Sequence, residues 1–305
     1  MNWKPRSALL AAVIGLALTA VACGSSPSSS SNTPKGTITV AGFKFSEGSV
    51  LAELYGQALQ HDGYTVNFKL NLGSREVVAP AIKSSQIDLY IGYAATDLEY
   101  YDNAAGEATG DVTATTAKLN SHLQSLGLQA LTPSAAQDQN GFAMTQANAT
   151  KYNATKLSDL ASIGGQLVLG AGPECPTRPF CAPGLQKTYG ITFKSFKALD
   201  TDGPLTRAAL KSNDIQVGLV FTSDADLQSL GLVVLQDDKH LQNADNVVPI
   251  VRTPVASAEV KKVLNAVSAG LSTADLINLN SQVELQHMDP DVVTKAYLQQ
   301  HNYFG

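Results

Sequence analysis

The side chains able to do chemistry in this chain gather in a series of short loops. These read Gly42-Phe43-Lys44-Phe45-Ser46-Glu47, Asn71-Leu72-Gly73-Ser74, and Ile87-Asp88-Leu89-Tyr90-Ile91-Gly92-Tyr93-Ala94-Ala95-Thr96. Further along come Gly170-Ala171-Gly172-Pro173-Glu174 with Pro183-Gly184-Leu185-Gln186-Lys187, then Leu199-Asp200, Leu219-Val220-Phe221-Thr222-Ser223-Asp224 and Asp237-Asp238-Lys239. They supply aromatic rings, cations, carboxylates and hydroxyls. They contain no Walker loop, no HExxH and no GxSxG, so the motifs of phosphate transfer, zinc hydrolysis and serine acyl transfer are lacking. His61, His122, His240, His287 and His301 are scattered and read as surface residues. Asp97, Glu99 and Asp102 read as a solvated acidic loop rather than a metal site, and Asp237-Asp238-Lys239 as a polar turn. Cys175 and Cys181 bracket five residues. In an oxidising compartment two cysteines this close form a disulfide; the alternative is a pair of buried free thiols. Their spacing does not match a thioredoxin-like pair, and no histidine cluster supports zinc.

These loops sit between elements that the hydrophobic periodicity defines. Thr37-Ile38-Thr39-Val40 reads as a strand. A helix capped by Ser46 runs to about His61, with Val50, Leu51, Leu54, Tyr55, Ala58 and Leu59 on one face. Tyr64, Val66, Phe68 and Leu70 alternate as a strand, a helix covers about Ser74 to Ser84, and Ile87 to Tyr93 is again a strand, with Tyr90 pointing into the core. The order recurs: strand Gln166–Gly170, helix Pro183–Tyr189, strand Phe193–Ala198, helix Leu205–Ser212, strand Gln216–Phe221. Three helical stretches close the chain, near Ser257–Leu271, Ala274–Leu285 and Pro290–Gln300. Alternating β and α units imply parallel sheets flanked by helices. Two such α/β units with a helical tail suit a hinged clamshell. Ligands in open α/β sheets lie at the carboxyl ends of strands, so the loops after Val40, Leu70, Tyr93, Gly170 and Phe221 are the ones to face a solute.

The N-terminus is organised differently. Lys4 and Arg6 precede an apolar run from Leu9 to Ala22, the layout of a secretory signal. The run is short for a bilayer span, which takes about 20 apolar residues. Ala20-Val21-Ala22-Cys23 resembles the lipobox of bacterial lipoproteins, with Ala20 where leucine is usual. That resemblance implies cleavage before Cys23 and lipidation of it; an ordinary signal cut nearby or an uncleaved anchor is the alternative. Gly24 to Pro34 reads GSSPSSSSNTP, a flexible Ser/Pro tether. Of the 305 residues, 1–22 are therefore assigned to the signal peptide and 23–35 to the lipidated cysteine and tether. Loss of Lys4 and Arg6 takes the formal charge from -5 to -7. No basic stripe is present, which argues against nucleic acid as partner.

Taken in order, the cleft loops resemble those of the glycine betaine/carnitine/choline-binding proteins of osmoprotectant ABC importers. The similarity covers nearly the whole chain after the tether. It implies a type II-like periplasmic-binding-protein clamshell, with lobe one at 36–140 plus 250–305, lobe two at 141–249, and hinge segments near Asn140–Phe142 and Asn246–Pro249. It implies no catalysis, cofactor or metal. Its partners would be an ABC permease and ATPase at the extracytoplasmic face of the cell membrane. In that family an aromatic cage holds the quaternary ammonium, which has no hydrogen to donate, and a cationic clamp holds a carboxylate where there is one.

Residue by residue, the resemblance places Tyr93 as a cage wall and Thr96 as a carboxylate donor, with Lys44 and Arg178 as carboxylate-binding cations. Lys44 lies in a loop one residue shorter than the family's. Where the family has tyrosines, this chain has Phe142, Phe221 and, near the Asp237-Asp238-Lys239 turn, Asp245. Asp245 either meets the cation or is a loop acid facing water; Tyr90, Tyr100 and Tyr101 are further aromatics nearby. The acid and the fewer tyrosines suit choline, whereas Lys44 and Arg178 suit glycine betaine or carnitine. The same fold with an aromatic-walled cleft would also suit a phenolic or other planar solute. An anchored enzyme or surface interaction protein is the reading from another class.

Overall fold

The computed structural model describes residues 35–303. The signal run, Cys23 and most of the tether lie outside the described residues.

Strand β1 (Thr37–Ala41) alternates as its sequence demands, with Ile38 and Val40 buried. Parallel to it lie β2 (Thr65–Lys69) on one side and β3 (Leu89–Tyr93) on the other. Helix α1 (Ser46–His61) joins β1 to β2 and buries Val50, Leu51, Leu54, Tyr55, Ala58 and Leu59, the face its periodicity marks. Each large apolar side chain fully buried in this way stabilises the fold by about 1.5–3 kcal/mol. The N-cap of α1 is Phe45, not Ser46. The Phe45 ring is fixed by aromatic packing, so its extended backbone turns the chain into the helix and leaves Ser46 inside the first turn. Helix α2 (Arg75–Lys83) leads into β3, and α3 (Ala94–Tyr101) starts directly after it. The acidic stretch Asp97–Asp102, read as a solvated loop, falls mostly on α3, and Asp97, Glu99 and Asp102 are all buried. Helix α4 (Val112–Gln124) begins at Asp111, whose carboxylate accepts from the backbone N–H groups of Thr113 and Ala114. It leads to the short strand β4 (Leu128–Ala130).

The chain then enters a second sheet through β5 (Asn140–Thr145), followed by α5 (Gln146–Tyr152) and β6 (Val168–Ala171). Next comes a short α6 (Ala182–Gly184), continued by a π turn over Leu185–Tyr189 where one regular helix was expected. A Cβ on Gly184 would come within 2.0 Å of the Pro179 carbonyl oxygen, so the turn packs directly on the Cys175–Cys181 loop. That loop is closed by a disulfide, with Cα atoms 5.2 Å apart. Strand β7 (Ser195–Ala198), α7 (Pro204–Lys211), β8 (Val217–Phe221) and β9 (Leu232–Val234) complete the sheet. Finally β10 (Val247–Arg252) returns to the first sheet, before α8 (Ala258–Gly270), α9 (Thr273–Glu284) and α10 (Pro290–Gln300).

The two sheets share one plan. Their orders are β2-β1-β3-β10-β4 and β7-β6-β8-β5-β9. In each, three parallel strands are extended by a strand from beyond a crossing, β10 or β5, which runs antiparallel. The crossings occupy 131–139 and 235–246 and touch at an antiparallel bridge between Gln137 and Asn246. Of the segments expected to form the hinge, Asn140–Phe142 open β5 and Val247–Pro249 open β10, while Asn246 lies in the second crossing.

Candidate functional site

A cavity of about 530 Å³ lies where the carboxyl ends of the parallel strands of both sheets meet. Phe43, Lys44 and Phe45 reach it from the end of β1, Gly73–Arg75 from β2, and Tyr93 and Thr96 from β3. Gly172–Glu174 reach it from β6, Ala198–Thr201 from β7, and Leu219 and Phe221 from β8. Its aromatic wall is built mostly by one half. The rings of Phe43 and Phe45 stack with centroids 5.8 Å apart and 8° between planes, and Tyr93 stacks at 6.4 Å from each. Phe221, from the other sheet, closes on Phe45 at 5.2 Å.

Hydrogen bonds fix these rings in place. Asp97 is fully buried and accepts from the Tyr93 backbone N–H (2.8 Å), from Arg75 Nε (2.6 Å) and from the Tyr90 hydroxyl (3.0 Å). The Arg75 guanidinium lies 5.1 Å from the Phe43 centroid, so one face of that ring is already occupied by a cation. The Tyr93 hydroxyl donates to Glu47 Oε1 at 2.5 Å, and Asn280 Nδ2 donates to the other oxygen at 2.6 Å. Burial raises the pKa of Glu47 despite these donors. Asp138 is 4 % exposed and lines the cavity, and the Ser223 backbone N–H donates to it at 3.2 Å. Burial, reinforced by Glu47 and Asp224, holds its carboxyl well above the usual range. Asp245, 3 % exposed, accepts from both the backbone N–H (2.7 Å) and the hydroxyl (2.5 Å) of Thr96. Burial lifts Asp245 to about 6, against the pull of the two Thr96 bonds.

The cavity therefore brings together Lys44, Tyr93, Thr96, Arg178, Phe221 and Asp245 of the residues singled out in the sequence. Phe142 is not in its lining. It shares a strand face with Leu219, its cross-strand partner, and is 1 % exposed in the core beneath. The Thr96 hydroxyl is committed to Asp245, and Arg178 forms a bidentate pair with Glu76 (Nη2 to Oε2 2.9 Å, Nε to Oε1 3.2 Å). Lys44 is exposed at the rim. Tyr90 is core, and its hydroxyl also meets that of Tyr101 at 3.2 Å. Sequence reasoning missed Phe43, Phe45, Arg75 and Asp138. The first two were legible as an aromatic-Lys-aromatic triplet directly after a strand. Asp138 carries no local signal, because its place is set by the crossing between sheets. Among the described residues no group of acids, histidines or cysteines is arranged to hold a metal, and no helix is long and apolar enough to cross a membrane.

Two α/β halves joined by two crossings around an aromatic-walled cavity define a two-lobe periplasmic-binding-protein clamshell, a solute-binding class of protein. Residues 36–300 match the family described as the substrate binding domain of ABC-type glycine betaine transport systems (OpuAC), and the chain belongs to that family. It is 27% identical over 277 residues to a glycine-betaine-binding protein of Pseudomonas aeruginosa, covering 87% of this chain and 88% of the relative. It is 25% identical over 281 residues to a carnitine transport binding protein, OpuCC, of Listeria monocytogenes, covering 88% of each. A crystal structure of a glycine betaine/carnitine/choline ABC transporter protein superposes with a TM-score of 0.67 at 22% identity, over 88% of this chain and all of that one.

Proposed function

We propose that this chain captures a quaternary ammonium solute outside the cytoplasm and hands it to the permease of an ABC importer, without catalysing a reaction. The observation that carries this is the meeting of Phe45, Tyr93 and Phe221 with the buried carboxyl of Asp138 around one cavity. A tetraalkylammonium offers no hydrogen-bond donor, so its recognition rests on ring faces, each worth about 0.5–2 kcal/mol, and on a nearby negative charge. Phe45 and Phe221 come from opposite halves and meet ring to ring, so a cation seated against both of them joins the lobes. Closure excludes water and strengthens both contacts. The sheet memberships support lobes of about 36–135 plus 247–303 and 140–234, pivoting on the two crossings. At the N-terminus, Cys23 would be acylated after cleavage, and the Ser/Pro tether would let the lobes diffuse close to the membrane.

Titration calorimetry of the full chain in detergent with choline, glycine betaine and carnitine tests this reading. Binding of at least one, weakened roughly tenfold or more by Tyr93→Ala, is the expected result. No heat with any of them would remove the quaternary-ammonium assignment. A second reading is favoured by the cavity's size, which at about 530 Å³ lies in the range of about 300–1,000 Å³ typical of drug-sized ligands. With the flat Phe43–Phe45 stack, it suits a larger planar solute on the same importer fold. A thermal shift with a phenolic panel and silence from all quaternary amines would favour that alternative.

A further inference from the structure

The two arginines of the cavity, Arg75 and Arg178, are not free to receive a ligand carboxylate. Arg75 is buried against Asp97. Arg178 presents its Nε and Nη2 edge to Glu76 in a bidentate pair, and its Nη1 lies 4.0 Å from Glu174. Both sides of that guanidinium thus face carboxylates of the protein. The Thr96 hydroxyl is spent on Asp245. Lys44 is left, exposed at the rim, where water and salt screen it. Against these cations the lining sets four carboxyl groups, Asp138, Glu174, Asp200 and Asp245. Glu76 itself does not line the large cavity. It faces a smaller adjoining chamber of about 290 Å³, which shares Arg75, Thr96, Asn140 and Arg178 with the large one.

Resting on the quaternary-ammonium reading above, we propose that Glu76 is a specificity-determining residue: its carboxylate sits on Arg178 where a zwitterion's carboxylate would bind, and so biases the cavity toward quaternary ammonium solutes that carry none. Planar bidentate pairing is the strong geometry for a guanidinium and a carboxylate. The competing group is tethered to the protein and is always present at high effective concentration. A choline-type cation leaves the pair intact. A betaine-type ligand must displace Glu76, or bring its carboxylate beside Glu76 and Glu174, where like charges repel. Selectivity of this kind comes from a repulsive element as much as from an attractive one.

The test is calorimetry on the full chain in detergent with choline and with glycine betaine, using wild type, Glu76→Gln and the double variant Glu76→Gln/Arg178→Gln. Wild type is expected to bind choline at least tenfold more tightly than glycine betaine. Glu76→Gln should tighten glycine betaine tenfold or more and change choline by less than threefold, and the double variant should lose that gain. A wild-type ratio of one or below overturns the proposal. So does a Glu76→Gln variant that moves neither ligand, or both equally, since the pair would then only hold the halves together. Heat with neither ligand in wild type overturns the quaternary-ammonium reading and this inference with it. Binding of both ligands with an inert Glu76→Gln overturns this inference alone.

Discussion

At the residue scale, the site depends on carboxyl groups kept out of water. Asp138 is a lining acid whose charge is held back, first by burial and then by Glu47 and Asp224. A bound cation reverses that balance, because it favours the ionised form. Binding is therefore linked to proton release, and affinity for a quaternary ammonium should rise with pH across a window above the ordinary carboxylate range. Asp138→Asn should flatten that profile and weaken binding near neutral pH, as read by titration calorimetry between pH 5 and pH 8. Asp245 was the acid that sequence comparison brought forward, but the structure gives its oxygens two donors from Thr96. What the sequence conveyed here was the residue types at the ends of strands. It did not convey which of them already had partners inside the protein, since those partners, such as Glu76 for Arg178 and Asp97 for Arg75, are set by tertiary approach.

At the scale of elements, the β1–α1–β2–α2–β3 run was readable because each piece buries one face at its own period. The observed Thr37–Ala41 and Ser46–His61 match the expected spans to within a residue. Strand β10 escaped detection for a physical reason: Pro249 lies inside a strand with neighbours on both sides, where proline is normally excluded. It is tolerated because its missing N–H falls where β4 ends. Its carbonyl is still used, accepting from Leu131 N at 2.9 Å. Helix α4 was missed because its Thr-rich first turns carry weak helical preference and rely on the Asp111 cap. Near the end of β3, Gly92 is the critical backbone position. A Cβ there would lie 2.0 Å from Asp97 Oδ2, the carboxylate that holds Arg75 and the Tyr93 backbone. Gly92→Ala should therefore break a buried pair at a cost of about 3 kcal/mol or more. Differential scanning calorimetry should show this as a fall in Tm of roughly 6–12 °C.

At the scale of the whole molecule, the halves meet around a second polar cluster beside the cavity and outside its lining. Arg207 of α7 pairs with Asp226 (2.6 Å), Asp202 (3.3 Å) and Asp224 (3.4 Å) within its own half, and reaches Glu284 of α9 at 3.6 Å. One guanidinium thus balances four carboxyl groups. Burial still raises Asp202 and Asp224 above the usual range, Asp224 to about 7. Groups raised in this way bind more protons folded than unfolded, so their contribution to stability falls as pH rises. Arg207→Met removes the counter-charge and should raise them further. Thermal unfolding should show a loss for the variant that is larger at pH 8 than at pH 5. An equal loss at both values would mean that Arg207 acts by packing alone.

Only the second half is a continuous piece of chain, and this bears on the order in which the protein can be made. As residues appear from the N-terminus, β3 has β1 on one side, but its other edge waits for β10, about 150 residues later. The second sheet has no such wait, because β5 through β9 follow one another and complete it by Val234. The later half can therefore mature first, while the earlier half carries an open strand edge of the kind that recruits foreign chains. Pulse-labelled hydrogen exchange during refolding should find amides of β6 and β8 protected before those of β3. The last strand to arrive also borders Tyr93, so the ring wall of the cavity is set only when the chain is nearly complete.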